Sequence, residues 1–143
     1  MTNIKRFFDW LFSVPDAQRT PATALVWWEL RRIPYNILVG VVGIASLAVF
    51  LGSIFSANVL GPGEDAVEPL ALLAAPIAIN ICYTAGWLGE SVLWVFWPDK
   101  RQFFGPLLFK LGLGFSLFVV TLPAIFWGGF RLLQLMGFKL SAA

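Results

Sequence analysis

The chain has 143 residues, of which 59% are hydrophobic and 13% charged, and its mean hydropathy is +0.80. An ordinary water-soluble domain carries about 25% charged residues, so the composition excludes a soluble globular surface and points to the bilayer as solvent. A formal net charge of +2 with no basic run longer than two residues excludes the electrostatic footprint of a nucleic-acid-binding protein.

The chemistry available is narrow. Histidine is absent, which removes the commonest zinc ligand, the usual haem ligand and the commonest general base. The single cysteine, Cys82, lies in an apolar run, so an internal disulfide is impossible and a cysteine-held metal is not expected. Gly112-Leu113-Gly114 begins a dinucleotide-type pattern, but Leu117 stands where the third glycine belongs and no strand precedes it. No P-loop is present, so neither an enzyme nor a cofactor is expected.

Residues 1–13 open the chain with Lys5 and Arg6 ahead of an apolar stretch, which Asp9 interrupts without a small-residue cleavage site following. Ile4, Phe7, Phe8, Leu11 and Phe12 recur at helical spacing. That pattern suits a short helix lying in the membrane interface, or one docked by its apolar face on the chain's own helices. Val14-Pro15-Asp16 breaks it. Thr20-Pro21 then reads as an N-cap followed by proline at the first helical position.

The next helix, over 20–57, begins with Trp27 and Trp28 at the headgroup level and Arg31-Arg32 on the watery side. From Ile33 to Ser56 there are 24 residues without a charge, about 36 Å of helix against a hydrocarbon core of about 30 Å. This is span one. SANVLGPGEDAVEP then forms an exposed loop. Span two covers 69–97 with Pro76 as a kink, and PDKRQFFGP turns the chain. Span three covers 106–136, with a charge-free core from Leu111 to Phe130 and a second kink at Pro123. Residues 138–143 are a short tail.

The expected fold class is therefore an all-α integral membrane protein, three transmembrane helices preceded by an amphipathic interfacial helix, in one membrane domain spanning 1–143. Lys5, Arg6, Arg19, Arg31 and Arg32 precede span one, Lys100 and Arg101 lie between spans two and three, and the loop between spans one and two has no basic residue. Positive residues stay on the cytoplasmic side. The expected location is the bacterial inner membrane, multi-pass, with the N-terminus cytoplasmic and the C-terminus outside; Arg131 and Lys139 depart from the rule.

On a helical wheel of span two, Pro76, Asn80, Tyr83, Trp87, Glu90, Trp94 and Trp97 share one face, with Ala78, Cys82, Ala85, Gly89 and Val92 opposite. Span one carries Ala45, Ala48, Gly52 and Ser56, so the two small-residue faces are expected to pack together, with the polar face toward span three or a second copy. Glu90 lies about 10 Å along the helix from Trp97. An intramembrane carboxylate is costly, so Glu90 should be paired, hydrated or protonated. Lys110 is the natural partner, with Arg31 and Arg32 as competitors.

Two readings follow. Either Glu90, Asn80, Tyr83, Thr84, Trp87 and Lys110 are pairing and packing groups that fix helix register, or they line an ion or proton path with Glu90 titrating. The first makes the protein a structural or accessory subunit of a homo-oligomer or larger membrane complex. The second makes it a protomer of an oligomeric channel or small transporter. Membrane lipid and either further copies or other membrane subunits are the expected partners, and nucleic acid is not.

Overall fold

The computed structural model describes residues 2–13, 20–57, 63 and 67–137. The break at Val14-Pro15-Asp16, most of the loop after Ala57, and the tail with Lys139 lie outside the described residues. Among the described residues the fold is all-helical: α1 (Thr2–Phe12), α2 (Pro21–Ala57), α3 (Pro69–Phe96), α4 (Arg101–Pro123) and α5 (Gly129–Leu135). Three of these stretches, α2, α3 and α4 through α5, are long and apolar enough to cross a membrane.

α2 starts where the sequence places it. The Thr23 amide donates to Thr20 Oγ1 (3.3 Å), and the Thr20 amide donates back to Thr23 Oγ1 (2.8 Å), a reciprocal cap ahead of Pro21. At 37 residues it is one unbroken helix through Pro34, about 55 Å long at 1.5 Å per residue. Beyond α3 the turn is shorter than expected. Only Pro98–Lys100 forms a 3₁₀ turn, and α4 begins at Arg101 with Gly105 and Pro106 buried within it.

The two expected kink prolines differ in their local consequences, and only one disturbs its helix. α3 runs continuously through Pro76. After Pro123 the chain widens into a π turn, Ala124–Gly128, before α5, the local rearrangement that a helix-interior proline induces when its missing N–H leaves a carbonyl unpaired. Gly128 fits there against Val49: a Cβ at residue 128 would lie 3.2 Å from Val49 Cγ1.

α4 packs against both α2 and α3, more extensively than those two pack against each other. The core is aromatic: Trp27, Trp28, Tyr35, Tyr83 and Phe109 are buried together with Leu11, Val39 and Leu113. Phe109 from α4 sits at its centre, with ring centroids 5.8 Å from Trp27, 5.9 Å from Trp28, 6.1 Å from Tyr35 and 6.4 Å from Tyr83. Mostly edge-on pairs of this kind contribute about 0.5–1.5 kcal/mol each beyond area burial.

Outside that cluster the exposure pattern is inverted relative to a soluble protein. Ile44, Phe126 and Val95 are 71%, 70% and 77% exposed, whereas Glu90 is 1% exposed. In water such a surface would be a contiguous aggregation patch, and in an apolar medium it costs nothing.

Three expectations are corrected. Trp27 and Trp28 are core residues, not headgroup anchors, because the indoles fill the space between α2, α3 and Phe109 of α4. Arg31 is buried instead of watery: its Nε donates to the Leu11 carbonyl (2.8 Å), one terminal nitrogen donates to the Trp10 carbonyl (2.5 Å), and the guanidinium lies 4.7 Å from the Trp10 ring and 4.0 Å from that of Trp27. A cation on the last carbonyls of α1 is favourable with respect to the helix dipole and secures α1 to α2. The apolar face of α1 is correspondingly divided, with Leu11 buried and Phe12 against Phe109, while Ile4, Phe7 and Phe8 stay exposed.

The third correction concerns the small-residue faces. Ala45, Ala48, Gly52 and Ser56 on α2 are exposed, as are Ala78, Cys82 and Ala85 on α3, so these stripes do not pack together. Polar and indole groups need hydrogen-bond partners that lipid cannot supply, so the face carrying them turns inward. Small residues have no such requirement. Where α2 and α3 do meet closely, the residue used is Gly86, over which the Trp28 ring lies.

Candidate functional site

Several of the polar side chains that interrupt the apolar helices, Glu90, Tyr83, Asn80, Asn36, Tyr35 and Ser116, turn toward the interior and meet a group on a different helix. Glu90 is among the most buried of them. Its Oε2 accepts a hydrogen bond from the Trp28 indole N–H at 2.5 Å, a contact between α2 and α3.

Trp28 is the hub of this arrangement. Its backbone carbonyl accepts the Tyr83 hydroxyl, and its ring packs edge-on to those of Trp27 (5.4 Å) and Tyr83 (5.2 Å). Gly86, one turn before Glu90, leaves the room: a Cβ there would lie 2.9 Å from Trp28 Cη2. Trp28, Tyr83, Gly86 and Glu90 thus form one interlocked unit. Tyr83 and Glu90 share a face of α3 because they lie seven residues apart, two turns of helix.

Further along the same interface the Asn36 amide donates to Asn80 Oδ1 at 3.3 Å, and Asn80 Nδ2 donates to the Pro76 carbonyl at 3.0 Å. Thr84 Oγ1 donates to the Asn80 carbonyl on its own helix at 2.9 Å. Between α2 and α4 the Tyr35 hydroxyl and Ser116 Oγ are 2.6 Å apart, and both residues are buried. The Tyr35 ring, 4.7 Å from that of Tyr83, ties this contact to the aromatic core.

Of the sequence-derived site residues, Glu90, Asn80 and Tyr83 are brought together along the α2–α3 interface. Thr84 bonds within α3, and Trp87 is half-buried on the face next to Glu90. Lys110 is exposed, with its ammonium 5.5 Å over the Phe12 ring of α1. An indole of α2 thus donates to Glu90, and Lys110 is turned toward α1. Arg32 is engaged elsewhere too, in an ion pair with Glu29 at 2.8 Å and 5.3 Å above the Tyr83 ring.

Sequence reasoning missed Trp28, Tyr35, Asn36 and Ser116 as partners. The signal was present, because Tyr35 and Asn36 are polar groups at the start of a charge-free run, and Trp28, Tyr35 and Val39 recur at spacings of seven and four on one face of α2. Among the described residues, no group of three or more potential metal ligands occurs. Geometry and composition together define a class, an all-helical chain with three helices long and apolar enough to span a membrane. Comparison with known protein families, curated proteins and solved structures finds no match.

Proposed function

We propose that this protein is a structural or accessory membrane subunit, a three-span scaffold that is completed by further copies or by a larger membrane complex. In this reading it is a multi-pass protein of the plasma membrane with its N-terminus cytoplasmic, where Lys5, Arg6, Arg31 and Arg32 precede span one. α1 lies along the cytoplasmic interface with Ile4, Phe7 and Phe8 toward lipid, held by Arg31.

The observation that carries the reading is the use of Glu90. A permeation group must meet water or an ion, yet this carboxylate is 1% exposed and accepts a hydrogen bond from the chain's own Trp28. The Asn36–Asn80 and Tyr35–Ser116 contacts use further interior polar groups in the same way, joining one helix to another. These contacts supply register and rigidity, which is what a scaffold needs. The alternative, a channel protomer with Glu90 on the path, has no specific observation in its favour.

The test is the mass of the protein extracted in mild detergent from its native membrane. The reading expects an oligomer or a complex with another membrane protein. A monomer with no associated protein, across several mild detergents, would overturn it.

A further inference from the structure

α1 is fastened to the rest of the chain at its C-terminal end. Leu11 is buried, Phe12 is half-buried against Phe109, and the Trp10 and Leu11 carbonyls accept from Arg31. Every residue from Asn3 to Trp10 is exposed, so the first two turns of the helix lie on the outside of the bundle. A helix of 11 residues is marginal in water on its own, and the outer turns of α1 gain little from packing on the described residues. Those turns call for a covering surface.

Three features bear on what that surface is. First, the exposed flank is an aromatic strip continuous with the core. Phe8 stacks on Phe12 (ring centroids 6.3 Å), Phe7 sits edge-on to Phe8 (5.6 Å) and 6.1 Å from Trp10, and Phe12 in turn meets Phe109. Rings of this kind, with Ile4 69% exposed beside them, suit the boundary between headgroups and acyl chains. Second, basic residues border the strip on both sides. On a helical wheel Lys5 falls next to Phe12 and Arg6 next to Trp10, with Asp9 the acid between them. Long basic side chains at such edges reach outward to the headgroups while their stems cover apolar surface. Third, these two charges are not used within the bundle. Among the described residues neither Lys5 nor Arg6 takes part in an ion pair, and the exposed Lys110 of α4 adds a further cation above the Phe12 ring.

An apolar strip alone would lie on any lipid, and the basic border gives it a preference. We infer that α1 is a docking surface for anionic lipid: the flank of Ile4, Phe7 and Phe8 beds among the acyl chains, and Lys5 and Arg6 engage phosphates at the headgroup level. A second copy seated on the same strip would bring its own Lys5 and Arg6 toward these, setting like charges against like. The inference rests on the membrane reading above, which places α1 at the interface, and adds to it a dependence on lipid charge.

The experiment uses the full chain in a Cys82→Ser background, one copy per nanodisc, with an environment-sensitive fluorophore on a single introduced cysteine. Ile4→Cys puts the label on the apolar flank, and Asp9→Cys puts it on the polar face. The discs hold phosphatidylcholine alone or an equal mixture with phosphatidylglycerol. Each basic residue beside an anionic surface biases a helix toward it about fivefold. The ratio of lipid-embedded to aqueous helix, read from the two fluorescence lifetimes of the label at position 4, should therefore be roughly tenfold higher in the mixture. Lys5→Gln with Arg6→Gln should return that ratio to its value in phosphatidylcholine, and raised salt should lower it. The label at position 9 should stay open to aqueous iodide in both discs.

Equal ratios in the two discs, or a preference that survives Lys5→Gln with Arg6→Gln, would overturn the proposal. So would a label at position 4 that is shielded from iodide yet untouched by lipid-borne quenchers, which would put protein on the strip. Both basic residues are exposed, so their removal tests lipid contact and not folding. Alkaline extraction separates the two failures. A chain released from membranes sinks the membrane reading and this docking with it, whereas a chain that stays embedded and shows no charge preference sinks the docking alone.

Discussion

Gly86→Ala probes the interlocked unit with a single carbon atom. The added Cβ would stand 2.9 Å from Trp28 Cη2 and 3.3 Å from Cζ3. The obstructing group is a rigid bicycle that is 2% exposed, hydrogen-bonded to Glu90 at one edge and packed on Trp27, Tyr83 and Phe109. It cannot swing aside without breaking that bond or those contacts. Overpacking of this kind costs about 1–3 kcal/mol, and the gain in helix propensity from glycine to alanine offsets at most about 1 kcal/mol. After the full propensity offset the expected loss is up to about 2 kcal/mol, and relative to a glycine-to-alanine control, in which the propensity gain cancels, it is about 1–3 kcal/mol. Gly114 in α4 is the control, since nothing lies within 4 Å of a Cβ built there; Gly114→Ala should be neutral or stabilising by up to about 1 kcal/mol. Unfolding in denaturing detergent, followed by tryptophan fluorescence, compares the two variants. If Gly86→Ala unfolds together with Gly114→Ala, the close seating of Trp28 on α3 is wrong.

Other outcomes follow from the same contacts. Glu90→Gln keeps an oxygen for the Trp28 N–H whereas Glu90→Leu removes it, so the leucine variant should be less stable than the glutamine variant by about 1–3 kcal/mol in the same assay. A double-mutant cycle of Tyr35→Phe with Ser116→Ala should give a coupling of about 1 kcal/mol, the scale of interhelical hydrogen bonds in membranes, and strict additivity would remove that contact from the account. In a Cys82→Ser background, cysteines at positions 36 and 80 should join within one chain through a short thiol-reactive linker. Cysteines at positions 48 and 85 should not.

Much of the fold was legible because its causes are local. A charge-free run of 24 residues and the Thr20-Pro21 cap state their helices directly, and the wheel of α3 correctly gathers Asn80, Tyr83, Glu90 and Trp94 on the inward side. What the sequence withheld was the identity of the partners across helices. Pairing Glu90 with Lys110 follows from charge and membrane depth alone, but rotation of α4 turns Lys110 toward Phe12, and an indole from α2 meets the carboxylate instead. The same gap explains Arg31. A guanidinium beside two tryptophans reads as an interfacial cluster until the end of α1 folds back to offer it carbonyls from residues 10 and 11. The small-residue stripes misled for a physical reason: close approach is what they permit, while polar groups seeking partners decide which face turns inward.

The central claim is that Glu90 holds helices together and conducts nothing. Proton and cation flux into liposomes containing the purified native chain, compared with Glu90→Gln at equal incorporation, tests it most directly. The account expects no flux above protein-free liposomes in either sample. Flux in the native chain that disappears with the carboxylate would contradict it and make Glu90 a permeation or proton-coupling group.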